Sequence, residues 1–294
     1  MSDTRSSPPD LRSRLAEGRS ARLERSDLAA ARTPDRGWGP PSESDRTLRV
    51  CDLFCGPGGV GRALGRVFVL PHTLGWFVGV DAHDYDATYP GAFRQADVRN
   101  LTLSDFDREE PFDLVWASPP CQAYSRLSHI HYDEPKTVHP TIPELGVRDV
   151  CSRLGRDYVI ENVVGCDDLV DPVRVEARAF GLPLVFPRLF ETSFEMPDYT
   201  GPRGRAHAEA WTPVEMATAS REDLAAAKQV PAEWSEQELR SAIPPQMVAY
   251  ILAHCPTLPD VHPPGGPVSY RMCRADPDQP TLWEFGTDAV RTDR

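Results

Sequence analysis

The segment DLVWASPPCQAYSRLSH, residues 113–129, drives an apolar run, Leu114 to Ala117, into two prolines and then a cysteine, Cys121. A thiol becomes a nucleophile when nearby positive charge, a helix N-terminus or a polar partner lowers its pKa. The two prolines make a stiff platform that would hold such a thiol just beyond a strand end. A free cysteine is more commonly a small buried hydrophobe, but the Pro-Pro corner and the adjoining Gln122 favour a working thiol. Further along, YVIENV sets Glu161 behind three apolar residues, where a carboxylate is costly to bury unless paired. Held there, a carboxyl group has a raised pKa and serves as an acid. Exposed at the strand's end, it would be an ordinary surface glutamate.

DLFCGPGG, residues 52–59, is a strand running into a glycine-rich turn, which lets backbone approach a ligand closely. Its spacing matches neither the dinucleotide fingerprint nor the phosphate-binding loop. Asp81 ends the next apolar run, WFVGVD, at a position that in doubly wound folds hydrogen-bonds ribose hydroxyls. A nucleoside ligand without pyrophosphate suits both features, and S-adenosylmethionine is one. From the glycines alone, a plain structural turn reads equally well.

These residues need elements to bring them together. LRVCDLF, WFVGVD, AFRQADV, FDLVWASPP and DYVIENV are candidate strands, with RLFETSFE (188–195) a sixth. Helical patterns such as PELGVRDVCSRLG lie between several of them, which predicts a mostly parallel α/β sheet. Ligands in such sheets sit outside the carboxyl ends of the strands. Asp81, Asp97, Cys121 and Glu161 all fall near predicted strand ends and converge on one cleft. Residues 1–46 read as a disordered or partly helical tail, and 47–195 as the ordered catalytic unit. Residues 196–235 are polar and irregular, SEQELRSAIPPQMVAYILAHC restores helical periodicity over 236–255, and 256–294 is a Pro-rich tail.

With 294 residues and 40% hydrophobic content, the chain can build one sizeable core with a small second lobe. No apolar run approaches membrane-spanning length, and no secretory signal opens the chain. A monomeric cytoplasmic protein with reduced thiols is expected. Cys51 and Cys55 have no His/Cys cluster around them, so no metal is expected. The net charge of −12 argues against nucleic-acid binding over the whole surface but allows a local basic cleft. With only Lys136 and Lys228 as lysines, phosphate contacts must come mainly from arginine.

DLFCGPGG, VGVDAHD, QADV, SPPCQAYS and YVIENV stand in the order and approximate spacing of the cysteine-nucleophile DNA methyltransferases that modify C5 of cytosine, and the chain resembles that family over residues 47–252. GLPLVFPRLFETSF and SEQELRSAIPPQMVAYI look like the shorter bacteriophage and prophage members, some of which belong to restriction-modification systems. The resemblance implies a Rossmann-like S-adenosylmethionine-dependent methyltransferase sheet with a small target-recognition lobe, acting on double-stranded DNA. By it, Cys121 adds to C6 of a flipped cytosine, Glu161 contacts the N3 and amino edge, Asn162 braces the Glu161 loop, and Arg188 reaches the cytosine O2 and the catalytic carboxylate. Phe54, Gly56, Gly58 and Gly59 form the cofactor turn, Asp81 takes the ribose, Asp97 the adenine amino group, and Pro120 borders the methyl donor; Asp52, Ala82 and Val98 join this cofactor set. Gln122, Ser125 and Arg126 would face DNA, and residues 123–141 would close over the base. Arg203 and Arg205, on Gly/Pro backbone, are the candidate recognition contacts.

The chain departs from the family twice. Of a Gln-x-Arg-x-Arg run it keeps only Arg188, with Leu184 and Phe186 at the other two positions, losing a charge-assisted contact. Ser241-Ala242 replaces a late Gly-Asn. Two other readings therefore stand: the same thiol chemistry on another acceptor or with another transferred group (nucleotide, RNA, modified cofactor), and a non-catalytic DNA-binding homologue. Amino-group methyltransferases fit poorly, because an aromatic is needed where Cys121 stands.

Overall fold

The computed structural model describes residues 48–67, 76–126, 128–200, 216 and 218–257. The two tails, and with them Arg203 and Arg205, lie outside the described residues.

The apolar runs form strands close to where the sequence places them: β1 (Arg49–Leu53), β2 (Trp76–Asp81), β3 (Ala92–Gln95), β4 (Phe112–Ala117), β5 (Gly155–Val163) and β7 (Pro187–Thr192). A further strand, β6 (Val173–Glu176), has no counterpart among the sequence expectations. Together they make one sheet in the order β3-β2-β1-β4-β5-β7-β6. Strands β1 to β5 pair in parallel, and β7 runs antiparallel to both β5 and β6. This is the expected mostly parallel, Rossmann-like α/β sheet, with its strand order turning back between β1 and β4, the place where such sheets bind ligands.

Helices cover both faces, so the inner strands carry apolar residues on both sides, interrupted by buried polar residues such as Asp52, Glu161 and Asn162. On one face, α1 (Gly59–Val67) and α5 (Pro245–Leu252) pack around Val50, Trp116, Val159 and Phe190. On the other, α2 (Val147–Leu154) packs on Leu53, Val115 and Ile160. A small satellite core around Leu224, Trp234 and Leu239 joins α3 (Arg221–Lys228) to α4 (Glu236–Ser241).

Two local findings differ from the sequence reading. The region read as irregular contains α3, started by Ser220, whose side chain accepts from Asp223 N. The single helix expected over 236–255 is two: Ser235 and Glu238 form a capping box for α4, and Pro244-Pro245 ends it and opens α5 with proline at the first turn.

Candidate active site

The thiol corner and the glycine turn leave from neighbouring strands. Leu53, the last residue of β1, pairs with Ala117, the last of β4. Ser118 N then donates to Leu53 O at 3.1 Å, pinning the start of the Pro-Pro corner to β1. Past the corner, the Cys121 carbonyl accepts from Tyr124 N at 3.0 Å and Ser125 N at 2.9 Å, closing a turn. Cys121 is partly exposed, whereas the other five cysteines among the described residues are buried. Burial pushes its pKa up, the Glu161 charge adds to this, and Arg188 opposes it. The thiol is therefore protonated at neutral pH in the free protein.

Glu161 is buried on β5, not exposed at its end. It pairs in register with Phe190 of β7, so Arg188, two residues back, lies diagonally across on the same face. Arg188 Nε reaches Glu161 Oε1 at 2.9 Å, with both side chains largely buried. Burial raises the Glu161 pKa, while Arg188 and a hydrogen bond with the Ser118 side chain hold it down. The same burial lowers the Arg188 pKa. In this desolvated pair, burial outweighs mutual attraction, and the carboxyl group stays above its ordinary range. Trp116 Nε1 donates to Ser118 Oγ at 3.0 Å and so fixes that hydroxyl beside the carboxyl.

Asn162 is buried, and its Nδ2 donates to Pro119 O at 3.2 Å. Its Oδ1 accepts from Val163 N at 2.9 Å. Leu184 and Phe186 are core residues, and the Arg188 guanidinium lies over the Phe186 ring, 3.6 Å from its centroid.

At the glycine turn, Phe54 and Gly56 both take left-handed backbone, with φ of 56° and 51°. Gly56 N donates to Asp81 Oδ2 at 3.1 Å. Asp81 also accepts from His83 N at 3.0 Å. No atom lies within 4 Å of where a Gly56 Cβ would project, whereas a Gly58 Cβ would stand 2.4 Å from Pro90 Cδ. The turn is thus open on one side and packed on the other. Gly59 starts α1 against Ala242 and Ile243, so the Ser241-Ala242 segment returns to the turn. Asp52 is wholly buried and accepts from Tyr89 OH at 3.1 Å. Burial pushes its pKa up to about 8, and its Oδ1 has no hydrogen-bond partner. It supports the turn from behind.

Asp97 caps a 3-10 turn, and its carboxylate is engaged by Arg99 Nε at 3.0 Å; Val98 beside it is buried. Ala82 is exposed, and its carbonyl accepts from Gln95 Nε2 at 3.0 Å. A cavity of about 370 Å³ opens beside Pro57, with Asp84, Asp86, Glu233, Trp234 and Glu238 in its wall.

Among the expected DNA-facing residues, Gln122 Oε1 is buried without a hydrogen-bond partner, Ser125 is partly buried and Arg126 is exposed. The segment beyond them is anchored: Tyr124 OH donates to Asp168 Oδ2 at 2.7 Å, and Lys136 pairs with Asp167 and Asp168. Ile130, between these anchors, and Val138, just past the second, stand exposed.

The structure thus brings Cys121, Asn162, Glu161 and Arg188 together and adds Ser118, Trp116 and Tyr89, which the sequence reading did not single out. The hydroxyl next to Pro-Pro was the available signal for Ser118.

No family model and no curated protein matches the chain. Among solved structures, it is similar to the S. pombe Dnmt2 methyltransferase, at 14% identity and a TM-score of 0.46, covering 70% of this chain and 97% of that one. It is also similar to the plantazolicin methyltransferase BpumL in complex with SAH, at 14% identity and a TM-score of 0.25, covering 40% of this chain and 39% of that one. The fold assignment rests on the strand order and register of the chain itself.

Proposed function

We propose that the protein transfers a methyl group from S-adenosylmethionine to C5 of a cytosine in double-stranded DNA, through covalent attack by Cys121. The observation that carries this reading is the thiol of Cys121 electrostatically coupled to a buried, arginine-paired carboxyl group, Glu161, at the carboxyl end of the sheet beside an open glycine turn. The turn fits the cofactor: at Gly56 a positive φ and open space leave backbone accessible to a ligand, and Asp81 lies at the end of β2 as a ribose acceptor. Phe54, Gly56, Asp81 and Asp97 would hold it.

S-adenosylmethionine, when bound, supplies an electrophilic methyl group for a nucleophilic carbon. C5 of cytosine is a poor nucleophile until Cys121 changes it. Cys121 loses its proton to water, the thiolate pair forms the S–C6 bond, the C5=C6 pair moves to make C4=C5, and the C4=N3 pair moves to N3. Glu161, whose pKa burial raises, donates at N3 when it carries its proton and so offsets the charge that develops there. Arg188 holds that carboxyl group in place. Once C5 carries the methyl group, its remaining proton leaves to water, that pair re-forms C5=C6, the S–C6 bond breaks to expel the Cys121 thiolate, and N3 returns its proton to Glu161.

The two groups are coupled in a useful sense. The negative charge of Glu161 holds the thiol up. A base that keeps Glu161 protonated removes that charge and releases the thiolate when its target arrives. The free thiol is spared side reactions.

The test uses the full chain with methyl-labelled S-adenosylmethionine and three acceptors: unmethylated duplex DNA, single-stranded DNA and RNA. Label in duplex DNA with the wild type, absent with Cys121→Ala, is the expected result. Transfer to RNA alone would move the acceptor, a reading that the apolar Leu184 and Phe186 favour. No Cys121-dependent transfer to any nucleic acid would overturn the proposal.

A further inference from the structure

One of the chain's two lysines is wholly buried. Lys228, the last residue of α3, is 1% exposed. A buried ammonium is costly unless its protons find acceptors. Nζ donates to the carbonyls of Arg240 at 2.6 Å and Ala242 at 3.1 Å. It also lies 3.8 Å from the centroid of the Phe186 ring. Two carbonyls and a ring face make three acceptors, which match the three protons of an ammonium.

The Arg188 guanidinium carbon stands 3.6 Å from the same centroid. Two cationic groups this close to one centroid would collide on a shared face, so they take opposite faces with the ring between them. The charged groups around Lys228 are Arg188 on β7, Glu161 on β5 and Arg240 on α4: burial and the two arginines push its pKa well down and Glu161 opposes them, while the two carbonyls and the ring face favour the charged ammonium. Glu176 of β6 stands next to this group, accepting from Phe186 N at 2.7 Å. An apolar side chain at position 228 would bury without a desolvation cost. A cation there has work to do, and the neighbour it bears on is the Arg188–Glu161 pair.

We propose that Lys228 is a positioning residue of the active site: fixed by the carbonyls of Arg240 and Ala242, its cation holds Phe186 against Arg188, keeps Arg188 on Glu161, and favours the charged form of that carboxyl group. Lys228 thereby sets how readily Glu161 gives up its proton. The catalytic consequence rests on the proposed function, but the electrostatic claim does not.

The experiment therefore reads the Glu161 proton directly. Full-length protein is prepared with glutamate labelled with carbon-13 at the side-chain carboxyl, and the Glu161 resonance is assigned by its loss in Glu161→Gln. Lys228→Met removes the cation, so the Glu161 midpoint should rise by about half a unit or more, roughly threefold in proton affinity. The swap Lys228→Met with Phe186→Arg returns a cation from the other side and should bring the midpoint back toward the wild type. An unchanged midpoint in folded Lys228→Met, or a swap no closer to the wild type, overturns the proposal.

Should Lys228→Met fail to fold, the comparison becomes Phe186→Arg with and without it. Phe186→Arg alone crowds three cations, so the double variant should unfold at the higher urea concentration; an equal or lower midpoint counts against Lys228. In methyl-transfer assays Lys228→Met should lower kcat with little change in KM for DNA. Absence of transfer by the wild type would remove the proposed function and leave the titration result standing.

Discussion

The Asn162 side chain donates to the Pro119 carbonyl at 3.2 Å, joining the strand that carries Glu161 to the corner that presents Cys121. With the Ser118 side chain bonded to Glu161, this bond ties the Glu161 strand to the Cys121 corner at neighbouring strand ends. Asn162→Ala should leave a buried carbonyl unpaired and cost about 1–3 kcal/mol of stability. It should slow single-turnover methyl transfer by up to ~10²-fold through misplacement of the two groups. Urea unfolding and rapid-quench assays on the same preparation separate the two effects.

The reactivity of Cys121 should report the charge of its neighbours. Glu161 raises the thiol pKa and Arg188 lowers it. Glu161→Gln should therefore shift the pH midpoint of iodoacetamide alkylation down, and Arg188→Met should shift it up. Measured without DNA or cofactor, identical midpoints in all three proteins would disprove the coupling.

Asp52 gives a pH dependence of stability with a definite sign. Its carboxyl pKa is about 8 in the fold against an ordinary 3.8. Between these values the folded chain holds a proton that the unfolded chain has released. Its contribution to stability is thus full below about pH 4 and is lost as pH rises toward 8. Asp52→Asn cannot titrate, and its amide oxygen can still accept from Tyr89. The urea midpoint should fall less between pH 5 and pH 8 in the variant than in the wild type.

The glycine turn offers a paired comparison. Gly58→Ala puts a methyl against Pro90 at a φ of 99° and should destabilise the fold by roughly 1–3 kcal/mol. Gly56→Ala meets open space, so only its left-handed φ costs, about 1 kcal/mol. If a ligand fills that space, Gly56→Ala should abolish S-adenosylmethionine binding by calorimetry while remaining folded.

The inner strands were legible because each carries a short run of consecutive apolar residues, such as Leu114–Ala117 or Tyr158–Ile160, the mark of burial on both faces. β6 was not, because VRVE alternates apolar and charged residues over only four positions near the sheet edge. α3 was hidden by polar neighbours: its buried face is Leu224, Ala225, Ala227 and Lys228, and no propensity marks a lysine as interior. Cys121 and Glu161 could be read from a corner and a strand end, and Asn162 only through the family resemblance. What surrounds them could not: that Ser118 meets Glu161, and that Phe186 lies between two cations, follow from strand order and register, which no local stretch encodes.

The register of β7 carries one more consequence, for folding. Side chains alternate along a strand, so a slip of one residue against β5 would carry Arg188 to the opposite face and bring Leu189 or Pro187 to the side of Glu161. The carboxyl group would then be buried without its arginine, at a cost of about 3–5 kcal/mol if it stayed charged. β7 inserts antiparallel between β5 and β6, so its register is set by those two pairings. There the buried ion pair also rejects the wrong alignment, so chains that mature to a stable fold are the ones in which Arg188 and Glu161 have already met.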